Sequence, residues 1–176
     1  MSKAPRKNLI HFILTGGTID SYYEGTKDTV VPTEHSTIPR FIKSLHIENA
    51  LAFTEVCMKD SRGLTETDRK NILRAIEKSE ASRIIITHGT YTMPDTARFL
   101  EANLKRKDQT IVLTGSMIPL TGFSPSDAPF NIGYAMAQAK SLPAGIYVAM
   151  HARVFAAGEV IKNIKAGKFI SIFGEK

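Results

Sequence analysis

A chain of 176 residues is the length of one domain and can bury about 70% of its unfolded surface around a single core. Hydrophobic residues make up 43% of it and charged residues 23%. These proportions exclude global disorder, and the apolar runs are far too short to cross a bilayer. The formal charge of +6 is scattered, with mild clusters such as KAPRK and KNIKAGK and no nucleic-acid-binding motif beside them, so it reads as a solvated basic surface that helps attract anionic groups.

The chain begins MSKAPRKNLIHFIL, basic residues ahead of an apolar stretch that runs straight into TGGT with no signal-peptide cleavage pattern. It reads as a first strand, Asn8 to Leu14, of a cytoplasmic protein. A helix pattern follows at about Pro39 to Leu45, then a strand from Leu51 to Val56. Thr65 and Asp68 have capping-box spacing at the start of a helix over Glu66 to Lys78, and a strand over Arg83 to Thr87 comes next. Thr92 and Asp95 repeat the capping pattern before a helix over Met93 to Lys105, with Pro94 in the first turn. A strand over Thr110 to Thr114, a helix over Ala128 to Ala139 capped by Asp127, and a strand over Gly145 to Met150 complete the series. Strand-helix alternation predicts an α/β fold, an open and mainly parallel sheet with helices on both faces, and residues 1–176 as one domain.

The single Cys57 excludes an internal disulfide and reads as a small buried hydrophobe on a strand. The five histidines have no ligand spacing, so neither a metal nor another cofactor is expected.

In open α/β sheets, ligands gather beyond the carboxyl ends of the strands. The segments predicted there are TGGTIDSYYEG, KDSRG, HGTYT and GSMIPLTGFSPSD, all rich in glycine and hydroxyl residues. Gly16 and Gly17 allow a sharp bend, and adjacent N–H groups there suit an oxyanion or phosphate cradle, although the run is neither GxGxxG nor a P-loop. Thr18 then sits on a tight bend, either as a nucleophile or simply closing the turn. A threonine hydroxyl needs a base. A lysine of lowered pKa relaying through a second hydroxyl such as Thr90 would serve, but spacing alone does not choose among the three lysines of KNIKAGK. His88, beside Gly89, reads as structural.

TGGTI, THGTYTM leading into a helix, VLTGSM, SDAPFNIGYA and VFAAGEVIK occur in this order and resemble the L-asparaginase family, whose members hydrolyse asparagine, and often glutamine, to the acid and ammonia. The resemblance covers nearly the whole chain and matches the N-terminal, catalytic half of the usual two-domain enzyme; the length is similar to a short, single-domain branch. It implies Thr18 as the nucleophile, Thr90 and Lys162 as the pair that handles the proton, and Tyr23, or else Tyr22, as the loop tyrosine that contacts the nucleophile. It further implies Ser61 as the α-carboxylate contact and Ser116 as the place where a backbone carbonyl faces the amide nitrogen. Gly17 and Gly89 of the GGT and HGT signatures count with them as substrate-binding positions.

Two positions depart from the family pattern. Tyr91 stands where most relatives have an Asp that receives the substrate's α-ammonium, so weak activity on free asparagine is expected unless Asp20, Glu24 or Asp60 reaches that ammonium. Arg62 stands where many two-domain relatives have Gln; it can grip a carboxylate bidentately or merely lead a helix on the surface. Phe130 and Asn131 read as packing and capping residues, and Met93, Met117 and Met136 as filler. The expected partners are a small-molecule amide substrate and a second copy in a homodimer or higher homo-oligomer, with neither nucleic acid nor membrane. Two other readings fit the same residues: a non-catalytic descendant that binds a metabolite, and an amidase for a different small amide.

Overall fold

Strand β1 (Arg6–Gly16) is central because its side chains are apolar on both faces. Ile10, Phe12 and Leu14 enter one core cluster and Ile13 the other, the period-2 alternation of a strand buried on both sides. The computed structural model describes residues 6–174. Within them, β1 is followed by the hairpin β2 (Ser21–Glu24) and β3 (Thr29–Pro32), then α1 (Ile38–Ser44), β4 (Ala50–Lys59), α2 (Glu66–Lys78), β5 (Ala81–Thr87) and α3 (Met93–Asn103). The remaining elements are β6 (Thr110–Thr114), α4 (Ala128–Ser141), β7 (Gly145–Met150), β8 (Arg153–Ala156), β9 (Val160–Asn163) and β10 (Lys168–Ser171).

The six-stranded sheet has the order β4-β1-β5-β6-β7-β8, parallel except for β8. One face carries α2 and α3, whose Ile72, Ile76, Met93, Ala97 and Leu100 pack with Ile84, Ile86, Ile111 and Leu113 of the sheet. The other carries α1 and α4, through Ile38, Ile42, Ile132, Ala135 and Ala139 against Ile85, Val112 and Ala149. The α/β class with helices on both faces is therefore as predicted. After β1 the chain moves outward to β4, then crosses back to β5 on the other side of β1. The connections leaving β1 and β5 run to opposite sides of the sheet, and the carboxyl ends of these two strands are the place where such sheets bind ligands. No described helix is long and apolar enough to cross a membrane, and no group of three or more metal-ligating side chains occurs among the described residues.

The helix starts agree only in part with expectation. Thr65 and Asp68 form both bonds of the capping box. Thr92 does not cap α3; its hydroxyl donates to Ser61 O at 2.8 Å and Asp95 instead pairs with Arg98. Asp127 makes no cap bond to the α4 backbone; its carboxylate accepts the N–H groups of Met117 and Ile118 and the Asn131 side-chain amide. α3 ends at Asn103, before Lys105, and Phe130 lies exposed on Tyr134 instead of packing inside. Met93 and Met136 are core residues. Cys57 is half-buried on β4, and burial pushes its thiol up to about 11.

Five short strands went unpredicted: β2, β3, β8, β9 and β10. The turn into β8 shows why. His151 and Ala152 both have positive φ, the geometry of a two-residue type I′ hairpin that normally takes Asn-Gly. The main chain is held there by Asn131 Oδ1, which accepts the His151 N–H at 3.0 Å, and the His151 ring lies 3.1 Å from Asp127.

His88 is fully buried at the end of β5. Nδ1 must carry the proton because it faces the Gly89 carbonyl at 2.7 Å, so Nε2 accepts from the Thr96 hydroxyl at 2.9 Å. Burial lowers its pKa from 6.5 to about 4. The unfolded chain thus binds this proton more readily, and the stability that His88 contributes is complete above pH 6.5 and lost as pH falls toward 4. Between pH 7 and pH 5 the loss from this group should be about 2 kcal/mol. Urea unfolding at the two pH values should show His88→Gln losing less stability over that interval than the wild type; equal losses would refute the assignment.

Candidate active site

The site begins with backbone touching backbone. Gly16 and Gly17 both have φ near +80°. A Cβ on Gly16 would lie 2.5 Å from Lys59 N, and one on Gly17 2.4 Å from the backbone of Gly89. A Cβ on Gly89 would in turn meet the Ser61 side chain at 2.7 Å. The loops after β1, β4 and β5 can approach this closely only because no side chain intervenes. Gly17 N–H donates to Lys59 O at 2.9 Å, so this N–H is not free to join the expected cradle, and the glycine serves to let the loops approach. Gly89, by contrast, borders a cavity.

That cavity holds about 170 Å³ and is lined by Thr18, Asp60, Ser61, Arg62, Gly89, Thr90, Tyr91 and Lys162. Its size suits an amino-acid-scale ligand; drug-sized ones need about 300 Å³ or more. Thr18 opens a 3₁₀ turn, Thr18–Asp20, at the end of β1. The turn is pinned by Asp20, which is fully buried and accepts from Ser36 Oγ, Thr37 N and Thr37 Oγ1 at 2.6–2.9 Å. Burial raises its pKa, against the lowering by these three hydrogen bonds. Asp20 therefore faces α1 and not the cavity.

Lys162 arrives from β9, and its Nζ donates to Thr90 Oγ1 at 2.6 Å. Burial, with the nearby Arg62 charge second, lowers the lysine's pKa; Asp60 acts in the opposite direction. Thr90 also contacts Met117 Sδ at 3.8 Å. An amine of lowered pKa on a hydroxyl, beside a second hydroxyl on a tight turn, is an arrangement that can move a proton away from a nucleophile.

Ser61 is buried on a 3₁₀ turn, where its Oγ accepts the Thr92 N–H at 3.3 Å. The fork of Arg62 is occupied: Nε and Nη2 donate to the two oxygens of Asp60 at 3.0 and 3.1 Å. Bidentate capture of a substrate carboxylate by Arg62 is thus not available in this arrangement. Its guanidinium lies 5.8 Å from the centre of the Tyr91 ring, which is half exposed. The Arg62 hydrogen bond holds the Asp60 carboxyl below its ordinary value. Of the three carboxylates considered for an ammonium, only Asp60 lines the cavity; Glu24 binds Thr26 and Tyr22 in the β2–β3 hairpin.

Besides Gly17, two expected residues lie outside this cavity. Tyr23 is exposed, with its hydroxyl donating to Asp28 across the hairpin turn. Ser116 is fully buried, and its Oγ donates to Ile118 O at 2.5 Å. The sequence reading overlooked Val30 and took Met117 as filler; both share with Thr18 a second, larger cavity. Neither carries a chemical signature that would single it out.

The family described as Asparaginase, N-terminal, matches residues 9–168. A glutaminase-asparaginase of Acinetobacter glutaminasificans is 33% identical over 96% of this chain and 54% of its own length. A probable periplasmic L-asparaginase of Haemophilus influenzae is 30% identical over 88% of this chain and 46% of its own. The solved thermostable L-asparaginase of Thermococcus kodakarensis superposes with a TM-score of 0.79 at 30% identity, covering 93% of this chain and 51% of that one. The chain thus spans about half the length of the relatives it matches. With fold, loop glycines and matched residues in agreement, the chain belongs to the asparaginase family, as a counterpart of its N-terminal domain.

Proposed function

We propose that this chain is an amidohydrolase that cleaves the side-chain amide of asparagine, or of glutamine, to the acid and ammonia. The observation that carries the reading is the Lys162 amine on Thr90 Oγ1 at 2.6 Å, in the cavity that Thr18 also lines. Thr18 Oγ attacks the amide carbon while Thr90 passes its proton toward neutral Lys162. The C–N bond then breaks, ammonia leaves with a proton from the same relay, and water hydrolyses the Thr18 ester. The substrate carboxylate falls to Ser61 Oγ and the N–H groups around it, with Arg62 as a positive charge at the rim. Tyr23 takes part only if the β2–β3 hairpin carries its hydroxyl away from Asp28.

The proposed unit is a single catalytic domain acting as a homodimer, for which family membership is the support. The cytoplasm is the proposed location on the sequence reading; the Haemophilus influenzae relative is named as periplasmic, and cell fractionation decides between them. A second reading, an amidase for an amide without a free α-ammonium, is favoured by Tyr91, since the one carboxylate lining the cavity is already paired with Arg62.

Three outcomes test the proposal. Thr18→Ala should abolish ammonia release from asparagine, and Lys162→Met should lower it on the order of 10² or more; full activity in Thr18→Ala would dispose of the nucleophile. Because the active lysine is neutral and its pKa is lowered, the rate should rise with pH through a limb below the ordinary lysine value near 10.5. Arg62→Gln removes a positive neighbour and frees Asp60, both of which favour the charged amine, so the limb in kcat/KM should move to higher pH. A tyrosine in place of a carboxylate forgoes a charge-assisted hydrogen bond of about 1.5–3 kcal/mol. Tyr91→Asp should therefore raise kcat/KM for asparagine by about tenfold or more, measured by steady-state kinetics.

A further inference from the structure

Thr18 borders a second cavity, of about 440 Å³, whose lining does not include Lys162. Its other walls are Val30 from β3 together with Met117, Ile118, Pro119, Phe123 and Pro125, and Ser124 is its one further polar residue. No charged side chain lines it. Val30, Ile118 and Phe123 are 37–39% exposed. Single exposed apolar residues need no explanation, but apolar side chains from two separate segments converging on one concavity do. The volume lies within the range of small-molecule sites.

The wall is held in place. Asp127 accepts from Met117 N and Ile118 N at about 3.0 Å, and Ser116 and Ser126 both donate to Ile118 O. Leu120 N donates to Ile19 O at 3.1 Å, which ties the wall directly to the Thr18 turn. The seam between the two cavities is formed by Thr18, which lines both, and by Met117, whose sulfur lies against Thr90 Oγ1.

We propose that this apolar cavity is a leaving-group subsite, and that the preferred substrate is a secondary amide bearing an aliphatic or aromatic group on its nitrogen. The inference rests on the amidohydrolase reading. If the charged head of the substrate occupies the polar cavity and Thr18 Oγ attacks the amide carbon, the nitrogen lies on the opposite side of that trigonal carbon from the head. A substituent on the nitrogen then enters the space bounded by Val30, Ile118 and Phe123. The chemistry balances with water alone: the Thr18 Oγ–C bond forms, the C–N bond breaks, and the amine departs with the relayed proton. Water then releases the acid.

The test uses the full chain with asparagine and with asparagines whose side-chain amide carries methyl, butyl or benzyl, scoring aspartate release. kcat/KM should rise by about tenfold or more from methyl to benzyl. Ile118→Ser and Phe123→Ser should lower kcat/KM for the benzyl amide about tenfold more than for asparagine. Binding of the same compounds to Thr18→Ala, read by calorimetry, reports the subsite without turnover. Hydrolysis of asparagine with no gain from benzyl, or a gain only when the apolar group sits on the acyl side, overturns the inference and leaves the amidohydrolase reading standing. Tighter binding of the benzyl amide with no hydrolysis of any amide shows an apolar binding site but overturns both the hydrolytic reading and the leaving-group assignment. A second copy seated on this face would weaken benzyl-amide binding as protein concentration rises, and that result also overturns the inference.

Discussion

Contact between the main chains at Gly17 and Gly89, where a Cβ would sit 2.4 Å from its neighbour, is the constraint on which the site depends. Parallel strands of a sheet lie about 4.8 Å apart, and side chains on the loops that leave them would ordinarily splay those loops further. Removing the Cβ atoms lets the turns after β1, β4 and β5 stack directly. Thr18, Ser61 and Thr90 then reach one small cavity, although two helices and four strands of sequence separate residues 18 and 90. The same constraint leaves little freedom for the backbone between them.

On this rigid floor the charges are arranged so that few remain uncommitted. Asp60 and Arg62 satisfy each other, His88 is kept neutral beneath the Gly89 loop, and Asp20 is turned into the start of α1. Among the described residues Lys162 has no carboxylate in hydrogen-bond contact; its Nζ rests on a threonine hydroxyl. A lysine so placed gains little for its charge, which is the physical reason that burial can lower its pKa.

The parallel strands and the four helices were legible because each is long enough to show its periodicity, and the loops were legible because glycine and hydroxyl residues crowd the ends of β1, β4, β5 and β6. Spacing could not distinguish Lys162 from Lys165 or Lys168; the resemblance selected it, and the register of β9 against β10 places it. Short strands gave no signal, as the His151-Ala152 turn illustrates: its positive φ values are stabilised by Asn131 and Asp127, partners some twenty residues away. Sequence could not choose between the two readings of Arg62 for a related reason. A carboxylate two residues earlier, at Asp60, folds back onto it in a turn whose closure no pattern of types reveals.

The position of Lys162 on β9 has one more consequence. Strands β9 and β10 form a separate two-stranded ribbon, paired with each other and not with the main sheet. It is fastened by Val160 and Phe169 in the core and by Arg98 donating to Val160 O. A ribbon with so few anchors can open at a lower free energy than the central strands. Heating would then withdraw the amine from Thr90 while the parallel sheet is still intact, so that inactivation runs ahead of denaturation. The working temperature of the site is set by its most peripheral element.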